Sequence, residues 1–403
     1  MKNERSSLGR IHRSTAQWLA CALLAGSLIG CSKPPPPAPP KAPPTPQELS
    51  KNTISKAAFG TLPDGTAVDL YTFVNANGME VRASNYGGII TALLVPDGDG
   101  KVGDITLGLK SFDDYVKNPP YFGAIIGRYG NRIAKGQFKI DDQTYKLPKN
   151  DGPNTLHGGL KGFDKVVWQA EPFEKEDSVG VIFTYASKDG EEGFPGNLQT
   201  RVTYTLTDKN ELSFEYHATT DKPTVVNLTQ HAYFNLAGDG NGDVLGHEFT
   251  IYANEYTPVN KLLIPTGKVE SVTDTPFDFR NKVKLGDRVN ADDEQIKFGK
   301  GIDHNFVIKR KEPGLTLAAR VSEATSRRVM EVFTTEPGVQ FYSGNFLDDT
   351  LAAKSGKPYA KHSGFALETQ HYPDSPNQPE FPSTVLRPGE EYNSKTVYAF
   401  SVR

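Results

Sequence analysis

The chain has 403 residues, 37% of them hydrophobic, and carries a formal charge of −3 at neutral pH. That balance gives no basic field for nucleic acid, and the length would allow a large core in one to three domains. The 38 glycines and 29 prolines point to a body rich in turns rather than long helices.

The first 30 residues read as an address rather than as fold. Lys2, Arg5, Arg10 and Arg13 precede "WLACALLAGSLIG" (18–30), an apolar run too short for a comfortable membrane span. It ends in "LIGC" (28–31), which resembles the lipobox of bacterial lipoproteins; the resemblance implies a signal peptide over 1–30 and lipidation of Cys31. Ser32, in place of Asp, resembles the outer-membrane sorting pattern. This implies an exported protein facing the periplasm, held to the membrane through Cys31 alone. Residues 32–48 contain nine prolines in 17 positions, so the segment from 31 to 55 is expected to be a polyproline II stalk. At ~3.1 Å per residue those 17 positions reach roughly 50 Å. Cys21 and Cys31 are the only cysteines, so the body from residue 56 to 403 uses neither disulfides nor thiol chemistry.

Within that body the pattern is strand-like. A short helical turn is expected near Phe112–Val116, and a hairpin over 136–148 turning at Asp141–Asp142. "RVTYTLT" (201–207) and "ELSFEYHATT" (211–220) alternate, with Val202, Tyr204 and Leu206 on one face of the first and Leu212, Phe214 and Tyr216 on one face of the second, a hairpin with one buried side. His217 falls on the polar face with Ser213 and Glu215 and reads as solvated. A second helical turn is expected at 291–296, and "KTVYAFSVR" closes the chain as a strand. Many short strands with little helix and no fixed-period repeat predict an all-β chain, a large antiparallel sandwich.

Polar clusters interrupt the strands. "GRYGNRIAKG" (127–136) holds Asn131 and Arg132, with spacing wrong for a phosphate loop. "NTLHGG" (154–159) puts His157 at a Gly-Gly turn. "NLTQHAYFNLAG" (227–238) sets His231 among strand-forming residues, "GIDHNFVI" (301–308) puts Asp303 at a strand mouth, and "GFALETQHYPDSPNQPEFP" (364–382) ends an apolar strand with Glu368. Singly, His157 reads as a turn residue, Asp303 as a strand cap, Glu368 as an exposed carboxylate and His231 as a core histidine. Metal binding fits poorly: "HEFTI" (247–251) lacks the second histidine of a zinc helix, and on a strand Glu368 and His371 point to opposite faces. The elbow of a serine hydrolase is also missing.

In order and spacing, these clusters together with "TPFDFR" (275–280) and "PGVQFYSGN" (337–345) resemble the aldose 1-epimerases, or galactose mutarotases, over about residues 57–403. Gln230 departs from the asparagine that many members carry there. The resemblance implies a single β-sandwich domain with an open sugar cleft. It makes His231 the general acid and Glu368 the general base, and it places Asn131, Arg132, His157, Tyr233, Asp303 and Gln340 around the sugar. The implied substrate is a free aldohexose such as glucose or galactose, interconverted between anomers by ring opening and closure without metal or cofactor. Two alternatives are a glycoside hydrolase, which needs paired carboxylates, and a sugar-binding lipoprotein without catalysis.

Overall fold

The computed structural model describes residues 51–403 except 118, 119, 311 and 352. The signal peptide, Cys31 and nearly all of the expected stalk lie outside the described residues. The boundary at residue 56 needs correction, because the first strand runs Thr53–Thr61 and pairs Thr53 with Val74. Asn52 is also engaged, its side-chain amide donating to the Glu176 carbonyl at 3.3 Å. This strand is largely exposed along its length, so no hydrophobic alternation marks where it begins.

The largest sheet has nine strands. Near its middle lies the expected hairpin, Leu198–Thr207 with Glu211–Thr220, in which Val202 faces Tyr216, Tyr204 faces Phe214 and Leu206 faces Leu212. All six are buried, and Val202, Leu206, Leu212 and Phe214 each contribute roughly 1.5–3 kcal/mol of hydrophobic stabilisation. His217 sits on the other face, half-exposed, with its Nδ1 3.0 Å from Asn393 Oδ1. The sheet ends at Gln169–Glu174, which carries Pro172, and at the two-residue Val283–Lys284.

Two five-stranded sheets cover the buried face. One is a meander from Thr53–Thr61 to Val102–Asp104; the other runs Glu270–Ser271, Ala253–Thr257, Asp303–Ile308, Gly338–Tyr342, Ala366–Gln370. One core cluster joins all three sheets. Within it Tyr71 packs edge-on against Phe183, and Phe249 stacks on Phe341 at 4.7 Å. The all-β antiparallel sandwich expected from the alternation is therefore the fold.

The hairpin at 136–148 forms as Gln137–Ile140 with Gln143–Lys146, and the helix Phe112–Val116 is present. The other helix runs Glu294–Gly299 rather than 291–296. Asp293 sets its start, its carboxylate accepting the Gln295 and Ile296 amides.

Candidate active site

Strand alternation builds one wall of the site. Gln340 lies opposite both Asn305 and Glu368, and Asp303 sits two residues before Asn305, so Asp303, Gln340 and Glu368 share a face. Phe306, Phe341 and Leu367 alternate onto the other face and enter the core. Gln340 Nε2 donates to Asp303 Oδ1 at 2.7 Å. His371, three residues past Glu368, pairs instead with Glu336 at 2.6 Å.

The facing wall comes from loops. Thr229–Gln230 pairs with Ile125–Ile126, and His231 is then fixed by its amide to the Ala124 carbonyl and by the Gly123 amide to its own carbonyl. This brings His231 Nε2 to 3.5 Å from Glu368 Oε1, with both side chains nearly fully buried. That separation is too long for a hydrogen bond. Rings of Tyr233 at 5.0 Å, His157 at 5.1 Å and Tyr121 at 5.9 Å surround the imidazole. The Tyr233 hydroxyl is occupied by the Pro120 carbonyl, so this residue offers the site its ring. Gln230 donates to the Gly123 carbonyl and to Tyr204, so it serves the frame behind the site.

Asn131 and His157 lock each other. Both have left-handed backbones, with φ of 62° and 50°. The His157 amide donates to the Asn131 carbonyl, and the Asn131 amide donates to His157 Nδ1, each at 3.0 Å. Such backbone conformations are costly and persist where the surroundings over-determine them. Gly158 follows because a Cβ there would lie 2.0 Å from the Gly127 carbonyl oxygen. With Nδ1 accepting a backbone amide, His157 carries its proton on Nε2 and is a neutral donor. Burial and the neighbouring His231 hold its pKa well below the usual histidine range.

Arg132 donates through Nε to Asp151 Oδ2 at 2.8 Å and places Nη1 3.8 Å from Asp303 Oδ2. The six residues expected to bind sugar and the His231–Glu368 pair thus lie together in one polar cluster. All eight are buried, so Glu368 is not an exposed carboxylate; His157 does sit in a turn, with its side chain turned inward.

Three contributors escaped the sequence reading. Asn227 is fully buried, and its side chain clamps the backbone of His371 in both directions while also reaching the Gly130 carbonyl. It thereby ties together the segments bearing Arg132, His231 and Glu368. Its place four residues before His231 was visible, but not its partners. Asp151 and Tyr121 carried no local signal.

Burial dominates the electrostatics. It pushes Glu368 well above the ordinary carboxylate range, with Asp303 adding to the rise, and it lowers His231 to about 4. A carboxylate with a raised pKa is a stronger base, and an imidazolium with a lowered one is a stronger acid. When Glu368 gains a proton and His231 gives one up, an ion pair becomes two neutral groups, which is the direction burial favours. Glu368 Oε2 and Gln340 Oε1 are buried without partners, so two further acceptors face no protein donor.

His157, His231 and Glu368 also place ligating atoms within 4.8 Å of one another, the donor types of a two-histidine zinc centre. The tautomer of His157 opposes this use, since a metal at Nε2 would drive the proton onto Nδ1 and break the Asn131 contact. Exhaustive chelation is expected to leave activity unchanged. A loss that zinc restores would overturn that reading.

The family model described as aldose 1-epimerase matches residues 69–399. Galactose mutarotase from Rattus norvegicus is 49% identical over 350 residues, spanning 87% of this chain and 99% of its own length. Aldose 1-epimerase from Escherichia coli is 44% identical over 340 residues, spanning 84% and 96%. A crystal structure of galactose 1-epimerase from Lactobacillus acidophilus aligns with a TM-score of 0.77 at 29% identity, covering 87% of this chain and 99% of that one.

Proposed function

Because the chain belongs to the aldose 1-epimerase family and interconverts the α and β anomers of free aldoses, we propose that Glu368 and His231 are the base and acid of that reaction. The observation that carries the assignment is a buried carboxylate and imidazole facing each other at 3.5 Å without bonding. Glu368 takes the proton of the C1 hydroxyl while His231 gives one to the ring oxygen. The bond between C1 and the ring oxygen breaks as the C1 hydroxyl oxygen becomes the aldehyde carbonyl, the open aldehyde turns about C1–C2, and closure on the other face returns both protons. A group positioned in this way is typically worth about 10²–10⁴ in rate. Asn131, Arg132, His157, Asp303 and Gln340 bond the remaining hydroxyls, and Tyr233 lends an apolar wall, so that only C1 and the ring oxygen meet the pair. Anomer-exchange NMR on free glucose and galactose tests the reading. Acceleration above the spontaneous rate is expected, and sugar binding without acceleration would overturn it.

Lipid anchoring through Cys31 is the second part of the proposal. It rests on the basic opening, the apolar run, "LIGC" and the prolines that follow. Membrane attachment would be by this lipid, facing the periplasm from the outer membrane; among the described residues no helix is long and apolar enough to cross a bilayer. The full chain is expected to sediment with membranes and Cys31→Ala to stay in the soluble fraction. A chain beginning at Lys51 keeps Asn52 and the whole first strand, and should be soluble, folded and fully active. Membrane sedimentation of Cys31→Ala would reject the anchor.

A further inference from the structure

Arg132 sits between two carboxylates, and only one of them belongs to the sugar wall. We propose that Asp151 is a positioning residue that draws Arg132 away from Asp303, leaving the guanidinium and that carboxylate open as a donor–acceptor pair for sugar hydroxyls. The inference rests on the sugar reading of the cleft.

The geometry is asymmetric. Asp151 Oδ2 accepts Arg132 Nε at 2.8 Å, a close charge-assisted bond, whereas Arg132 Nη1 stands 3.8 Å from Asp303 Oδ2, beyond hydrogen-bond reach. Nε is the donor on the stem side of the guanidinium, so holding it fixes the plane and leaves the two Nη groups free. Asp303 is half-committed already, with Oδ1 taking the Gln340 amide. Its Oδ2 stays available only while Arg132 is kept off it.

Asp151 is itself held. It forms a two-way backbone bridge with Asn154. Next to it the Asn150 side chain accepts the Leu156 amide and donates to the Leu156 and Gly159 carbonyls, which ties the turn to the segment bearing His157. The Asp151 side chain is 35% exposed, against 10% for Arg132 and 9% for Asp303, so it lies at the outer edge of the trio. Without it, the nearest remaining anion for Arg132 is Asp303. A guanidinium that closes onto Asp303 uses up the donors and the acceptor together, and an incoming sugar must then break that pair.

The test is a double-mutant cycle on the full chain. Asp151→Ala should raise KM about tenfold with kcat within about threefold, and Asp151→Asn, which keeps an acceptor oxygen, should fall between Ala and wild type. In an Arg132→Ala background, Asp151→Ala should change KM by less than about twofold. The same cycle run on sugar affinity by calorimetry should show the same non-additivity. An unchanged KM in Asp151→Ala, or an equal rise in both backgrounds, would overturn the positioning role. If the wild type binds sugar without interconverting anomers, the family reaction fails while the calorimetric cycle still decides the role of Asp151. The thermal midpoint of Asp151→Ala should stay near wild type, since its side chain lies at the surface of a turn.

Discussion

Glu368→Gln is expected to lower kcat by about 10²-fold or more while leaving KM near its wild-type value. Glutamine keeps the volume and the hydrogen-bonding shape of the side chain, and it remains opposite Gln340 on the same strand face. It cannot take a proton from the C1 hydroxyl. The loss should be large because burial makes this carboxylate a stronger base than an exposed glutamate. Single-turnover anomer exchange measures it, with thermal unfolding as the check on folding. Near wild-type turnover would reject Glu368 as the base, and Asp303, the other carboxylate of the same strand face, would then take the role.

His231→Asn should cost a similar factor, and the Glu368→Gln/His231→Asn double variant should lose less than the product of the two. Each proton transfer balances the other, so removing either group already strands its partner. The pH dependence follows from the same coupling. Activity requires one proton on the pair, which passes between the carboxylate and the imidazole. Below about 4 His231 holds its proton while Glu368 is also protonated, so no base remains. Above the raised value of Glu368 the pair has lost its last proton and no acid remains. The wild-type kcat profile should be bell-shaped with limbs belonging to the pair, and each single variant should retain one limb. A multiplicative double variant, or a bell that survives in either single variant, would show that the two groups work independently.

The fold was legible wherever one face of a strand is buried and the other wet. The hairpin expected over 201–220 alternates cleanly and its buried face is the expected one, whereas Thr53–Thr61 buries too little to announce its start. The helix near residue 294 was displaced because Asp293, one of several acidic residues there, is the one that caps it. In the site, Glu368 and His231 are singled out through the resemblance of several ordered segments, while their 3.5 Å approach depends on a register no local pattern encodes. The partners of Asp151 and Asn227 were hidden for the same reason. They are set by how a turn and three chain segments meet in space, and an aspartate in "NDGPN" looks like any other turn former.

A nine-stranded sheet has two ends, and each row of unpaired amides and carbonyls there is a template on which a second molecule could add a strand. At one end the strand Gln169–Glu174 carries Pro172, which supplies no amide, and its Glu171 and Glu174 are exposed residues, the Glu174 carboxylate accepting the Ile54 amide. At the other end Val283–Lys284 is only two residues long. Both ends of this sheet thus carry features that disfavour the addition of a further strand: an imino acid and exposed acidic residues at one, and a very short edge at the other.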